Sequence, residues 1–165
     1  KLFEIKRIIA NVKKENNGIY LPAVALLVFA GIRPREVRRL TWQDIDLQEN
    51  TITVRSLCSK TGGVRQVEIM PQLKRILLSY NPQPQQKICP VNWLRRWQKI
   101  RNNAGFGGGW VQDVLRHTYA SFFAKRFKDL PRLQLNMGHS NQMLLCHRYI
   151  NMRNISRFEA EKFFN

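Results

Sequence analysis

Two arginines, a lysine, a histidine and a tyrosine stand far apart in this 165-residue sequence, in surroundings that suit the handling of a phosphodiester. Arg33 and Arg116 each carry a planar guanidinium, a group that bonds two phosphate oxygens at once and stays cationic at any working pH. A tyrosine hydroxyl such as that of Tyr149 is a nucleophile for in-line attack on phosphorus. With an ordinary pKa of about 10, it needs a base or a cationic cluster to help remove its proton. A second proton must reach the departing oxygen, which is work for a lysine or histidine such as Lys60 or His139. No set of carboxylates or histidines has metal-ligand spacing, so the chemistry to weigh is strand cleavage without a metal. Such a site needs two arginines, a nucleophile and one or two proton-transfer groups drawn from distant parts of the chain.

The candidates occur in the segments Ala30-Gly31-Ile32-Arg33-Pro34-Arg35-Glu36, Ser59-Lys60-Thr61-Gly62, Val114-Leu115-Arg116-His117-Thr118-Tyr119-Ala120, Met137-Gly138-His139-Ser140 and His147-Arg148-Tyr149. In this order they resemble the tyrosine recombinase (phage integrase) family. The first is similar to its Gly-Leu-Arg-x-x-Glu box, the third to its His-x-Leu-Arg-His-Thr box and the fourth to its Leu-Gly-His-Ser box. Tyr149 then follows His139 by ten residues. The resemblance implies that Arg33 and Arg116 clamp the scissile phosphate and stabilise its pentacoordinate transition state. It implies that Lys60, at a hairpin tip, protonates the leaving 5′ oxygen, and that His139 donates to a non-bridging phosphate oxygen. Tyr149 would form a 3′-phosphotyrosine, reversed by a 5′ hydroxyl from another strand. Glu36, one helical turn beyond Arg33, would support the site from behind. Neither metal nor ATP enters, and no cofactor is implied. The implied partner is double-stranded DNA, which a homotetramer of the full protein would bind.

One position departs from the family pattern. Three residues before Arg116, where the family has a histidine, this chain has Asp113. A carboxylate can accept the tyrosine proton, yet it is repelled by a phosphate and can neutralise Arg116, so general-base function here is expected to be reduced or altered. Its bland alternative is an N-cap or first-turn acid, favourable with the helix dipole. His117 points about 100° around the helix and is no simple substitute. Asn136-Met137 and Met143-Leu144-Leu145 are lesser departures. An arginine after a helix end is ordinarily solvated, a lysine in a Gly-rich turn merely exposed, and a histidine after a glycine a helix cap. The alternative function is therefore a non-catalytic or impaired recombinase-like DNA-binding protein. A type IB topoisomerase shares the chemistry, but the Gly-His-Ser box favours a recombinase.

These residues must be positioned by a mainly helical domain with one small antiparallel sheet, an α+β arrangement matching the catalytic domain of DNA breaking-rejoining enzymes. Apolar residues at helical spacing predict helices over 2–12 and 20–31, with Gly31 as the stop and Pro34 in the first turn of a helix running to about Trp42. Alternation over 51–57 and 64–69, joined by Gly62-Gly63, predicts a hairpin with Lys60 near its tip. Further helices are expected from Pro71, from near Pro90 with Leu94, Trp97 and Ile100 inward, over 112–125, over 131–137 closed by Gly138, over 141–150, and over 155–164. In the last, Ile155, Phe158, Phe163 and Phe164 form an apolar stripe that packs either on its own domain or into a neighbouring protomer. Tyr20, Tyr80 and Tyr119 lie on apolar periodic faces and read as core.

Composition narrows the function classes. An apolar content of 44%, with four Trp and nine Phe, supports a real core in one domain spanning residues 1–165. Twenty-eight Lys and Arg against eleven Asp and Glu give a formal charge of +17, well above the ~2 to 8 that solubility requires. A polyanion is the expected partner, with an acidic protein or anionic membrane as lesser options. The longest apolar stretch, Ile19 to Ile32, contains Pro22 and falls short of the ~20 residues needed to cross a bilayer. Without a cationic start and cleavage site, the expected location is the cytoplasm, and the resemblance implies a bacterial or phage-encoded, DNA-associated protein. Cys58, Cys89 and Cys146 are odd in number and far apart, so reduced structural thiols are expected. The start inside an amphipathic segment, Leu2 to Val12, predicts a fragment lacking its natural beginning, and the resemblance implies that the missing part is an amino-terminal DNA-clamping domain.

Overall fold

The structure is a computed structural model; it describes every residue except 1, 56–62, 140–142, 144 and 146–153. Helix α2 (Leu21–Phe29) is apolar all round and all its residues are buried, the property of a helix at the centre of a core rather than on its edge. Around it lie α1 (Leu2–Lys14), α4 (Pro71–Leu78) and α6 (Val114–Phe127). Helix α1 turns Ile5, Ile8 and Val12 inward, and α4 turns Leu73 and Leu77. Helix α5 (Trp93–Asn103) packs on α1, α7 (Leu130–Met137) on α6, and α8 (Arg157–Phe164) on α6 and α4. A mainly helical domain with a small antiparallel sheet is thus the observed class.

The sheet is antiparallel in the order β1 (Ile45–Asp46), β2 (Thr51–Val54), β3 (Arg65–Glu68). Ile52 faces Val67 across the ladder, and both are fully buried. The last pair is Val54 with Arg65, so residues 55–64 connect the paired ends. Lys60 stands near the middle of that connection in sequence, whereas Gly62-Gly63 is off its centre. The described ladder is therefore centred ahead of Gly62-Gly63 in sequence, because register follows the buried face of each strand. Strand β1, in which Ile45 pairs with Ile52 and Asp46 with Thr51, was not among the expected elements.

Three helical expectations need correction. Helix α3 covers only Pro34–Val37. The chain leaves it because the Leu40 carbonyl accepts from Ile88 N and Thr41 bridges to Lys87, while Thr41 and Asp44 cap a 3-10 turn at Trp42–Asp44. Helix α5 starts at Trp93 and buries Trp93, Trp97 and Ile100, leaving Leu94 58% exposed. The i, i+4, i+7 face simply begins one residue earlier. In α8, Phe158 is 70% exposed, whereas Ala160, Phe163 and Phe164 are buried. Phe163 stacks on Phe122 with centroids 4.3 Å apart, and Phe164 meets Phe127 at 5.4 Å and Tyr119 at 5.9 Å. The terminal helix thus packs on its own domain, and each buried ring stabilises it by about 1.5 to 3 kcal/mol. No described helix is long and apolar enough to cross a membrane.

Candidate active site

The end of α2 delivers the first arginine. Gly31 takes φ +61°, and a Cβ there would lie 2.5 Å from Cδ1 of Tyr119. Both the left-handed turn and the close approach demand glycine. The chain then extends through Arg33, the N-cap of α3, with Pro34 in the first turn. Glu36 reaches back and its carboxylate accepts from Arg33 N at 2.9 Å and from Arg33 Nη1 at 3.0 Å. Glu36 is 1% exposed, and the Arg33 side chain 19%.

A buried carboxylate needs more than one such bond. Glu36 finds its second partner in Arg65, at the start of β3, which donates Nη1 to Oε1 at 2.9 Å and Nη2 to Oε2 at 2.7 Å. Burial pushes the Glu36 carboxyl up, but the bonds and charge of Arg65, with those of Arg33, outweigh it and hold the carboxyl below its ordinary value. Sequence reasoning did not single out Arg65. The available signal was strand parity, since Arg65 shares the face of Val67 and Ile69, both buried. A basic residue on an inward strand position asks for a buried acid.

Arg116 is 1% exposed near the start of α6. Its guanidinium donates Nη1 to the Gly31 carbonyl and Nη2 to the Met137 carbonyl. It therefore ties together the two loops that lead to Arg33 and His139. His139 follows Gly138, which closes α7 at φ +59°. Its backbone is held on both sides, N donating to Gln134 O at 3.2 Å and O accepting from Gln134 Nε2 at 3.0 Å. Burial, then the charges of Arg116, Arg33, Arg65 and His117, push the His139 imidazole down to about 4. At neutral pH it is an uncharged ring that can donate one N–H to an anion. Asn136, a departure in the family comparison, is buried, and its Nδ2 donates to Tyr119 Oη at 3.3 Å.

Asp113 occupies the N-cap position of α6 in a left-handed conformation, φ +58°, and makes no side-chain capping bond. It is half-buried. Lys60 and Tyr149 lie outside the described residues, as do Cys58 and Cys146. Among the other tyrosines, Tyr20 and Tyr119 are buried, and burial pushes the Tyr119 phenol well up. Tyr80 is half-buried, donates to Gly18 O at 2.8 Å, and is likewise raised by burial. The Cys89 thiol is pushed up to about 12 by burial, against the lowering charges of Arg38 and Lys87. A thiol with that pKa is structural at neutral pH.

Arg33, Glu36, Arg65, Arg116 and His139 thus come from α3, β3, α6 and the end of α7 to one place. The arrangement offers fixed cationic groups and a neutral N–H donor, suited to an oxyanion that gains charge. Comparisons with known proteins bear on which. The family model described as "Phage integrase family" matches residues 1–154. Tyrosine recombinase XerA of Saccharolobus solfataricus is 28% identical over 121 residues, covering 72% of this chain and 41% of that protein. The chain thus spans about two-fifths of the length of that curated relative. The catalytic domain of bacteriophage HP1 integrase superposes with a TM-score of 0.72 at 21% identity, over 99% of this chain and 92% of that one. XerH site-specific recombinase, in a structure described as a pre-cleavage complex bound to difH substrate, superposes at 0.68 with 18% identity, over 99% of this chain and 53% of that one.

Proposed function

Since the chain belongs to the phage integrase family, the tyrosine recombinases, we propose that it is the part of a site-specific recombinase that cleaves and rejoins DNA strands. The observation that carries this reading is the meeting of Arg33, Arg116 and His139, from segments far apart in sequence, over a buried Glu36–Arg65 pair. In the proposed reaction Arg33 and Arg116 bind the non-bridging oxygens of one phosphodiester, and neutral His139 donates its N–H to the same group. The Tyr149 oxygen attacks phosphorus in line. Its bond to phosphorus forms as the bond to the 5′ oxygen breaks, and Lys60 gives that oxygen a proton. The 3′-phosphotyrosine keeps the bond energy, so a 5′ hydroxyl from another strand reverses the step without ATP. Asp113 stands where the family has a histidine and would accept the tyrosine proton with altered efficiency.

The charge of +17 fits a double-stranded DNA partner. The whole enzyme is proposed to work as a homotetramer on two duplexes, with an additional DNA-clamping domain, on the DNA of a bacterium or phage. The test is covalent capture. A randomised pool of nicked duplexes is incubated with the chain, and species that survive denaturant are amplified. The native chain should form an adduct that Tyr149→Phe abolishes. No adduct from the native chain, or one undiminished in Tyr149→Phe, overturns the reading. The carboxylate at Asp113 favours one second reading, a recombinase relative that binds DNA without cutting it, and DNA retention without any adduct would support that instead.

A further inference from the structure

We propose that Arg65 is a positioning residue of the cleavage site, a planar strut that fixes Arg33, His139 and the base of the 55–64 connection relative to one another. The inference rests on the proposed recombinase reading for its catalytic consequence, but its structural half stands on the geometry alone.

Three acceptors on two separate elements converge on this one guanidinium. Nη1 and Nη2 bond both oxygens of Glu36, at 2.9 and 2.7 Å, and Nε bonds the Asn136 carbonyl at 3.1 Å. Glu36 is the residue that holds both the backbone N and the guanidinium of Arg33. Asn136 is in the last turn of α7, and Gly138 follows to hand the chain to His139. The stem of Arg65 lies flush against that turn, since a Cβ on Gly138 would sit 2.7 Å from Arg65 Cδ. Arg65 therefore sets the distance between the α3 N-terminus and the α7 C-terminus from a position on neither.

Its own anchorage is the sheet. Arg65 pairs with Val54 as the final rung of β2–β3, so it terminates the connection on which Lys60 stands five residues earlier. Moving Arg65 would thus shift the end of that connection against Arg33 and His139. Its role is placement: Nε, Nη1 and Nη2 all bond protein acceptors, two of them on the carboxylate that holds Arg33. Lysine keeps the charge but is a point donor without the planar fork, so it cannot hold a carboxylate in two-point register while bonding a third acceptor. Catalysis that depends on placement loses about 100-fold in rate for a displacement of about 1 Å.

The test compares the full native chain with Arg65→Lys, using duplexes recovered by covalent capture with the native chain. At saturating DNA, Arg65→Lys should retain its helical circular dichroism and bind DNA within about threefold of native, yet form adduct about 10- to 100-fold more slowly. The slowing should fall on the maximal rate rather than on the half-saturating DNA concentration. In the DNA-free chain, the NMR signals of the His139 ring and the Arg33 Nε–H should shift or broaden. Adduct formation at the native rate, a loss that only mirrors weaker DNA binding, or unmoved His139 and Arg33 signals would each overturn the proposal. Should Arg65→Lys not fold, the pair variant Glu36→Gln with Arg65→Met removes both buried charges at once, and native-rate cleavage by it overturns the proposal equally. The two readings fail separately. No adduct from the native chain sinks the recombinase reading, and the DNA-free NMR comparison still decides the fate of the strut.

Discussion

An imidazole among guanidiniums resists protonation, and His139, brought to about 4 by burial and by Arg116, Arg33, Arg65 and His117, is such a ring. The fold holds it neutral, whereas the unfolded chain binds a proton below about pH 6.5. Stability should therefore fall as pH drops from about 6.5 to about 4 and gain no further slope from this group below that. Melting temperatures of native and His139→Gln chains across that window check it, the variant showing the flatter profile. A bound phosphate adds negative charge beside the ring, so DNA should raise the His139 pKa, which an NMR titration of the complex reads out. Glu36 acts in the same direction: its depressed carboxyl supports the fold above its unfolded value and loses that support as pH falls through the folded one. Glu36→Gln leaves buried Arg65 short of its charge partner and should cost about 3 to 5 kcal/mol in denaturant melts. At Asp113, the proposed mechanism expects Asp113→His to speed adduct formation about tenfold or more, since a well-matched general base contributes about 10² to 10⁴. Histidine tolerates the left-handed backbone found there.

Two turns deliver the site residues, and both depend on glycine. Gly138→Ala adds left-handed strain of about 1 to 2 kcal/mol and also drives a Cβ into the Arg65 stem. It should lower the denaturant midpoint and slow adduct formation together. The hairpin shows what element-level reading can and cannot reach. Val67 and Ile69 were legible as one inward face because strand parity is local. The register was not, because it is decided by which buried residues of β2 meet those of β3, Ile52 with Val67. Likewise α2 was legible from its unbroken apolar run, while the end of α3 depended on Ile88 and Lys87 arriving from a connector far along the chain. Helix α8 was an open choice between its own core and a neighbour's. Phe122, Phe29 and Phe127 supplied the socket. Phe163→Ala should cost about 3 to 5 kcal/mol, measured by denaturant melts, and free the helix to compete for other sites.

Across the whole molecule the positive charge is the dominant field, and its consequence is salt dependence. DNA affinity should fall linearly on a log–log plot against salt, by on the order of a thousandfold between about 50 and 200 mM if about six phosphates are neutralised. A flat dependence would argue against a phosphate-tracking surface. Residue types and their order along the chain by themselves determined the family and the helical class, and pointed to Arg33, Arg116 and His139 as candidates to be brought together. They could do so because motif spacing and helical periodicity are properties of short stretches. Only the tertiary structure decided that Arg116 would bond the carbonyls of Gly31 and Met137, and that Glu36 would take Arg65 as its main partner. Those contacts join residues 85, 21 and 29 positions apart. A buried charge chooses its partner by which donors the packed core leaves within about 3 Å, and no local pattern in the chain carries that information.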